Sequence, residues 1–236
     1  MERTTSTWIV RVWLPDRPGA LGQVASRIGS VGADVVGIDI LERGAGRAID
    51  ELAVELHDDE LVPLLVREVN QVDGVDVEDV RPAVDALHDP RLDALETAAQ
   101  LVGATSTDEL LGSLCVLGAR TVGAEWAVVI DTEATEVLAS GGPAPAPPAA
   151  WLSAFVAGSR SSATVAGADS GPDDVVWAPL PGTGVALVLG RNGTAFRARE
   201  RRQAAALARI VDTRFRELAA AASRAVHPAG SGLSRG

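Results

Sequence analysis

Two carboxylates beside a Pro-Gly helix entrance are the residues best suited to bind a small charged molecule. Asp16 precedes Arg17-Pro18-Gly19-Ala20-Leu21, and Asp34 follows Gly32-Ala33. A helix beginning at Pro18-Gly19-Ala20 offers unpaired backbone N–H groups and the positive end of its dipole, which suit a carboxylate. Gly19 lacks a Cβ, so a ligand can approach the backbone closely. Because Asp16 or Asp34 could receive an ammonium group, the pattern predicts a site for a small zwitterion.

The same residues also have purely structural interpretations. Asp16 could cap the helix that Pro18 begins, since Asp is favoured at helix N-termini. Gly19 could serve turn geometry only, and Asp34 could satisfy the turn after Gly32. The sequence leaves these alternatives open.

Several kinds of chemistry are excluded by composition. All 21 basic residues are arginine, so the chain has no Schiff-base lysine and no phosphate-binding Walker lysine, and it has no tyrosine. One cysteine and three dispersed histidines exclude a disulfide framework and a Cys-based zinc site. Cys115, on an apolar helix, is interpreted as a core residue. We expect no catalytic residues, cofactor or metal, although carboxylate chemistry in an enzyme of unrecognised type stays open.

The charge distribution indicates two units. The net charge is −11; residues 1–90 contain 8 Arg and 18 acids (−10), and residues 91–236 contain 13 Arg and 14 acids (−1). An acidic surface argues against nucleic acid as a main partner. The sequence shows no signal-peptide pattern and no apolar run of the roughly 18 residues that a membrane span needs. We therefore expect a cytoplasmic protein without a membrane partner.

The first unit has the pattern of a βαββαβ fold. Residues 7–14 alternate as a strand, and a helical stripe runs from about Pro18 to Val31. Strands follow at residues 35–41 and 50–56, separated by the hairpin turn Gly44-Ala45-Gly46. A second helix over residues 61–72 and a short strand at residues 75–78 complete the order of a ferredoxin-like split βαβ unit.

The run Leu14-Pro15-Asp16-Arg17-Pro18-Gly19-Ala20-Leu21, followed by Gly32-Ala33-Asp34-Val35, resembles an ACT domain. ACT domains are regulatory modules that commonly bind amino acids between two copies. The resemblance, over about residues 7–80, implies ligand contacts by a polar residue at the place of Asp16 and by an Asn at the place of Asp34. This chain has Asp at both positions, and Leu14 where some relatives have His.

The second unit resembles a shortened GAF domain over about residues 91–218. The pattern predicts helices over residues 92–101 and 108–122, with Thr107 as N-cap and no capping box, and then strands at 124–131 and 136–140. A Pro-rich loop, a short helix near Trp151, a loop over 159–173, strands at 175–180 and 185–189, and a helix from about Phe196 to Arg224 follow. Arg202, Arg209 and Arg216 share a face of this last helix. They could be solvated, contact the acidic first unit, or bind nucleic acid.

These observations predict an α+β protein of two domains. Residues 1–82 form the ferredoxin-like, ACT-like domain, 83–90 a linker, 91–224 the GAF-like α/β domain with its long terminal helix, and 225–236 a disordered tail. We expect a regulatory homodimer that binds an amino acid or similar zwitterion and acts on a protein target. The alternative is a ligand-free interaction module. The expected ligand contacts are Asp16, Arg17, Gly19, Ala20, Leu21 and Asp34.

Overall fold

A computed structural model describes residues 5–83, 90–166 and 172–226. The chain divides into two compact units, Met1–His88 with Arg197–Arg199 and Asp89–Phe196 with Glu200–Gly236. Each unit contains its own four-stranded antiparallel sheet and its own apolar core. The described ranges contain fifteen helical and strand segments, eight of which are the strands of these two sheets.

The first unit has the predicted βαββαβ order. Its elements are β1 (Ser6–Pro15), α1 (Ala20–Ser30), β2 (Asp34–Gly44), β3 (Arg47–Leu56), a 3₁₀ turn (Asp59–Leu61), α2 (Val62–Val69) and β4 (Asp76–Pro82). Ala45 and Gly46 both have positive φ in the β2–β3 hairpin, as a two-residue turn of this hand requires.

The sheet order β2-β3-β1-β4 makes β2 an edge strand. One face of the sheet lies beneath α1 and α2. Buried apolar residues of β1 and β3 pack there against residues of both helices, including Val10, Val12, Leu52, Val24 and Leu65. This packed face positions the N-terminus of α1 above the sheet.

The opposite face of this sheet carries a charged network. The Arg11 side chain is only 1% exposed, and its Nη2 lies 2.8 Å from Glu51 Oε1. Arg81 donates to the same oxygen at 2.7 Å. Burial alone would raise the pKa of Glu51, but the charges and hydrogen bonds of Arg81 and Arg11 outweigh it, so the pKa lies below its ordinary value.

The second unit is a sheet with helices on both faces. Its elements are α3 (Pro90–Gly103), α4 (Thr107–Val122), β5 (Trp126–Asp131), β6 (Glu136–Gly141), α5 (Ala149–Ala166), β7 (Val175–Leu180), β8 (Val185–Gly190) and α6 (Ala198–Val226). The strand order is β6-β5-β8-β7.

Two apolar clusters fill the two faces of this second sheet. One cluster joins α3, α4 and α6 to the sheet, and the other joins α5 to it through Leu152 and Val156, which are fully buried. Trp126 pairs with Gly190 in the β5–β8 register, and a Cβ at Gly190 would overlap the indole ring. This sheet therefore uses glycine at position 190 to accommodate the indole.

A buried ion pair fixes the end of β8 to α6. Arg191 Nη1 lies 2.7 Å from Glu200 Oε1, and both side chains are under 10% exposed. The same guanidinium donates to the carbonyl oxygens of Val122, Thr194 and Ala195. These carbonyls satisfy the remaining donors of a buried charge, a condition for tolerating it inside a protein.

The predicted α+β fold class is confirmed, including the second sheet domain and the long C-terminal helix. Three local predictions differ. The predicted loop at 159–173 is helical as far as Ala166, where α5 ends. Ser106 is the N-cap of α4 and accepts a hydrogen bond from Glu109 N. Glu109 in turn accepts one from Thr105 N, so that a capping-box-like pair closes.

Parts of the predicted linker and tail, residues 84–89 and 227–236, lie outside the described residues. Of the helices in the described ranges, none combines the length and apolarity needed to cross a bilayer.

Candidate functional site

The β1–α1 loop presents an uncapped helix N-terminus. Gly19 is the N-cap residue of α1, with φ +86°, a left-handed conformation that glycine adopts without strain. Ala20 N donates to Arg17 O at 3.3 Å, and Gln23 N donates to Gly19 O at 3.1 Å. Within the described ranges, no acceptor takes a hydrogen bond from the amides of Leu21 or Gly22. Two N–H groups at the positive end of the helix dipole are thus free for an anion.

Asp16 lies at the outer side of this loop. Its backbone N–H donates to Gly46 O at 2.9 Å, which ties the loop to the β2–β3 hairpin. Its carboxylate is 3.9 Å from Arg43 Nε, a loose ion pair in which both side chains are at least 40% exposed. No side chain caps α1, so the interpretation of Asp16 as a helix cap is wrong.

The other predicted loop residues differ in exposure. Arg17 is exposed, and its Nη2 donates to Gln23 Oε1 at 3.4 Å. The Ala20 side chain is buried in the core beneath α1, and Leu21 is half-buried at the edge of that core. Leu21 can therefore offer a ligand its backbone amide, whereas the predicted contribution of the Ala20 amide is wrong, because that amide already donates to Arg17 O. Arg17 can offer an exposed positive charge.

Asp34 is not brought to this loop within one chain. It opens β2 and pairs with Glu55 of β3, whereas Pro15, next to Asp16, pairs with Arg47. Arg47 and Glu55 are eight positions apart on β3, or about 26 Å at about 3.3 Å per residue. An amino acid separates its charges by only a few ångströms. Asp16 and Asp34 of the same chain therefore cannot contact one amino acid together, and the role of Asp34 stays a prediction for a site between two copies.

A third acid, Asp50, lies on β3 at a position that the sequence pattern predicts only as a strand residue. It pairs with Val12 on β1 and Ile40 on β2, and it alternates with Ala48 and Leu52, whose side chains belong to the core beneath the helices. Residues directly opposite on antiparallel strands share a face, so Asp50 projects toward the helix side. In the sequence, Asp50 occupies the same alternating positions as Leu52, Val54 and Leu56. An acid within this apolar alternation is the signal that identifies Asp50 as a candidate.

The Asp50 carboxyl is buried and incompletely satisfied. The residue is 3% exposed, and Oδ1 has no hydrogen-bond partner in the described part of the chain. Burial raises its pKa above the ordinary value; the nearby positive charge of Arg43 lowers it, and the negative charge of Asp16 raises it further. Asp16, Arg43 and Asp50 therefore form one electrostatic group.

The edge strand beside this group carries exposed apolar side chains. Val36, Ile38 and Ile40 are 48%, 47% and 41% exposed. Ile38 pairs with Leu52 and Ile40 with Asp50, so both isoleucines lie on the α1 side of the sheet. Ile40 thus separates Asp50 from the open edge.

The remaining reactive side chains do not build a second site. Cys115 is buried, and burial raises the pKa of its thiol to about 12, so the reactive thiolate is disfavoured. Its predicted role as a core residue is confirmed. Among the described residues, no group of three His, Cys, Asp or Glu side chains is placed to hold a metal ion.

Comparison with known proteins finds a family match within the first unit. The family model of the ACT domain matches residues 8–74. The crystal structure of the ACT domain from GTP pyrophosphokinase of Chlorobium tepidum is 18% identical, with a TM-score of 0.28, over 34% of this chain and 100% of that chain. No curated protein shows significant similarity to the chain.

Two solved structures are similar over more of the chain. A protein of unknown function from Galdieria sulphuraria is 13% identical, with a TM-score of 0.33, over 96% of this chain and 95% of that one. A bacteriophytochrome from the photosynthetic bacterium R. palustris is 12% identical, with a TM-score of 0.43, over 81% of this chain and 44% of that one. The similarity to the ACT domain therefore rests on the family model and covers residues 8–74.

Proposed function

We propose that the first unit is a non-catalytic regulatory module that binds an amino acid or a similar small zwitterion at the mouth of α1. The observation that carries this proposal is the pair of free amides at Leu21 and Gly22, at the positive end of a helix whose entry loop contains Asp16. The amides would receive the ligand carboxylate, and Asp16 would contribute to binding its ammonium group. The match to the ACT domain, a regulatory module, supports this role.

The complete site forms between two copies of the chain. When two β2 edges pair antiparallel about a two-fold axis, the start of one strand meets the end of the other. The end of β2 adjoins Gly46, to which Asp16 is hydrogen-bonded. Asp34 of the second copy would then approach the Asp16 loop, which explains how two acids at opposite ends of one sheet could serve one ligand.

A ligand in such a site would regulate by favouring one arrangement of the two copies. It can shift that equilibrium only by as much as it prefers one arrangement. The protein target that reads the shift is not specified by these contacts.

The test is a thermal-unfolding screen of the full chain against the twenty standard L-amino acids. A ligand at about 100 times its dissociation constant stabilises by about 2.7 kcal/mol, or roughly 5–10 °C for a chain of this length. Stabilisation by one amino acid, lost with its des-amino analogue, supports the proposal. No shift with any amino acid at about 10 mM contradicts it for ligands with dissociation constants of about 0.1 mM or tighter.

A ligand-free interaction module is the second candidate function. The exposed row of Val36, Ile38 and Ile40 on an edge strand favours it, because such a row can drive assembly without a ligand. A constitutive dimer that no amino acid stabilises would favour this alternative. A dimer whose dissociation constant falls when an amino acid is added would favour the sensor.

The second unit is, on this proposal, a GAF-like domain. Its order of two helices, a strand pair, a helix, two strands and a long final helix supports that interpretation. Because buried side chains of α5 fill the face of the sheet away from α6, we expect this unit to contribute to assembly through its helices.

A further inference from the structure

The strongest unexplained feature of the first unit is the buried carboxyl of Asp50. A buried polar atom without a partner costs stability, and most such atoms in proteins are satisfied. Asp50 Oδ1 has no hydrogen-bond partner in the described residues, although only 3% of the residue is exposed to solvent. No packing role explains a carboxyl between Ala48 and Leu52 on the apolar face of β3.

The surroundings of Asp50 point to a cationic ligand. Arg43 pairs with Ala48 across β2 and β3, so its side chain is on the same sheet face as Asp50. Arg43 also forms the loose 3.9 Å ion pair with Asp16, and its own side chain is 59% exposed. The exposed Arg43 guanidinium thus acts on both carboxylates without a close ion pair to either of them.

We propose that Asp50 and Asp16 together form an ammonium-binding site, and that Arg43 occupies it only while no ligand is present. The site rests on the proposed function in that the amides of Leu21 and Gly22 would take the carboxylate of the same ligand. On this inference Asp50 selects ligands that carry a primary amine, and the Arg43 side chain competes with that amine for the two carboxylates. Ile40, 41% exposed at the strand edge, lies on the route by which the amine reaches Asp50.

The test measures binding to the full chain with two sets of probes. One set is the twenty standard L-amino acids, and the other is methylammonium and ethylammonium, which carry the amine without a carboxylate. Asp50→Asn keeps the shape of the side chain and removes its charge. The matched control is Asp79→Asn, because Asp79 pairs with Arg11 on the opposite face of the same sheet.

We expect Asp50→Asn to weaken binding of the stabilising amino acid about 10-fold or more, as loss of a charged hydrogen bond does. Asp79→Asn should leave the affinity unchanged. Arg43→Gln should tighten binding several-fold because it removes the competing cation. An unchanged affinity in Asp50→Asn would overturn the Asp50 assignment, and weaker binding in Arg43→Gln would overturn the competition.

The probe sets separate this inference from the proposed function. If amino acids bind equally well to wild type and Asp50→Asn, the zwitterion site stands and the Asp50 inference fails. If only the two amines bind, and Asp50→Asn abolishes their binding, the cation site stands without an amino-acid function. If neither set binds to the wild-type chain, both proposals fail. Should Asp50→Asn not fold, Arg43→Gln decides the question: tighter binding of the amino acid supports the inference, and unchanged or weaker binding overturns it.

Discussion

Replacing Asp50 with leucine should stabilise the ligand-free protein. The substitution removes a buried oxygen without a partner, which costs about 1–3 kcal/mol. It also adds apolar contact in a position lined by Val12 and Leu52. Some overpacking offsets this gain, so we expect a net gain of about 1–3 kcal/mol at pH 7. For a chain of this length that corresponds to roughly 2–12 °C in Tm.

The gain should depend on pH in a defined direction. Because the pKa of Asp50 is raised in the folded state above its ordinary 3.8, the folded state binds more protons between the two values. The contribution of Asp50 protonation to wild-type stability is therefore lost as pH rises through the raised pKa, and this contribution is absent above it. The advantage of Asp50→Leu should be full above the raised pKa and should shrink as pH falls through it toward about 3.8.

Urea unfolding of the full chain at several pH values measures this effect. The control is Asp79→Leu on the opposite face, where Asp79 Oδ2 accepts a hydrogen bond from Arg81 at 2.9 Å and no gain is expected. A loss of more than about 1 kcal/mol in Asp50→Leu would refute the reasoning, because it would show that Asp50 has a stabilising partner. A gain independent of pH would also refute it.

Three further perturbations test other parts of the structure. Gly19→Ala should destabilise by about 1 kcal/mol, since φ is +86° and no atom lies within 4 Å of the new Cβ, which leaves backbone strain as the cost. Glu51→Gln should destabilise by about 3 kcal/mol by removing the charge beside buried Arg11. The cost should decrease as pH falls through the lowered pKa of Glu51. Ile38→Glu should convert a dimer to a monomer in sedimentation experiments, because it places charge on the apolar edge.

Matched controls make these outcomes decisive. Gly22→Ala, also in open space but with ordinary helical geometry, should stabilise by up to about 1 kcal/mol. Glu55→Gln on the same strand should cost less than Glu51→Gln. Val116→Glu, at an exposed position of α4, should leave the proposed dimer intact. Equal effects in test and control variants would contradict the corresponding argument.

The strands and helices of the first unit could be predicted from the sequence because their hydrophobic patterns are strongly periodic. Alternation defined β1, and Gly44-Ala45-Gly46 marked the hairpin in which Ala45 and Gly46 adopt positive φ. Residues 159–166 were predicted to be a loop because of their Ser, Gly and Ala content, although Ser and Ala continue α5 without difficulty. Composition alone cannot fix where a weakly apolar helix ends.

The site was only partly predictable because it depends on pairing register. Asp16 and the Gly19 N-cap follow from local sequence, since both belong to one loop. The distance of Asp34 from that loop depends on β2 pairing with β3 from Glu55 to Arg47, which no local pattern specifies. Asp50 was visible as an acid within an apolar alternation, but its burial and missing partner are properties of the packed structure.

The pairing of Trp126 with Gly190 limits how the second sheet can change over evolution. Any side chain at position 190 would collide with the indole, and loss of the indole alone would leave a void in the core between β5 and α5. Each single mutation is thus disfavoured, whereas a smaller residue at 126 with a larger one at 190 could fill the same volume. Across homologues these two positions should covary, with single exchanges rare.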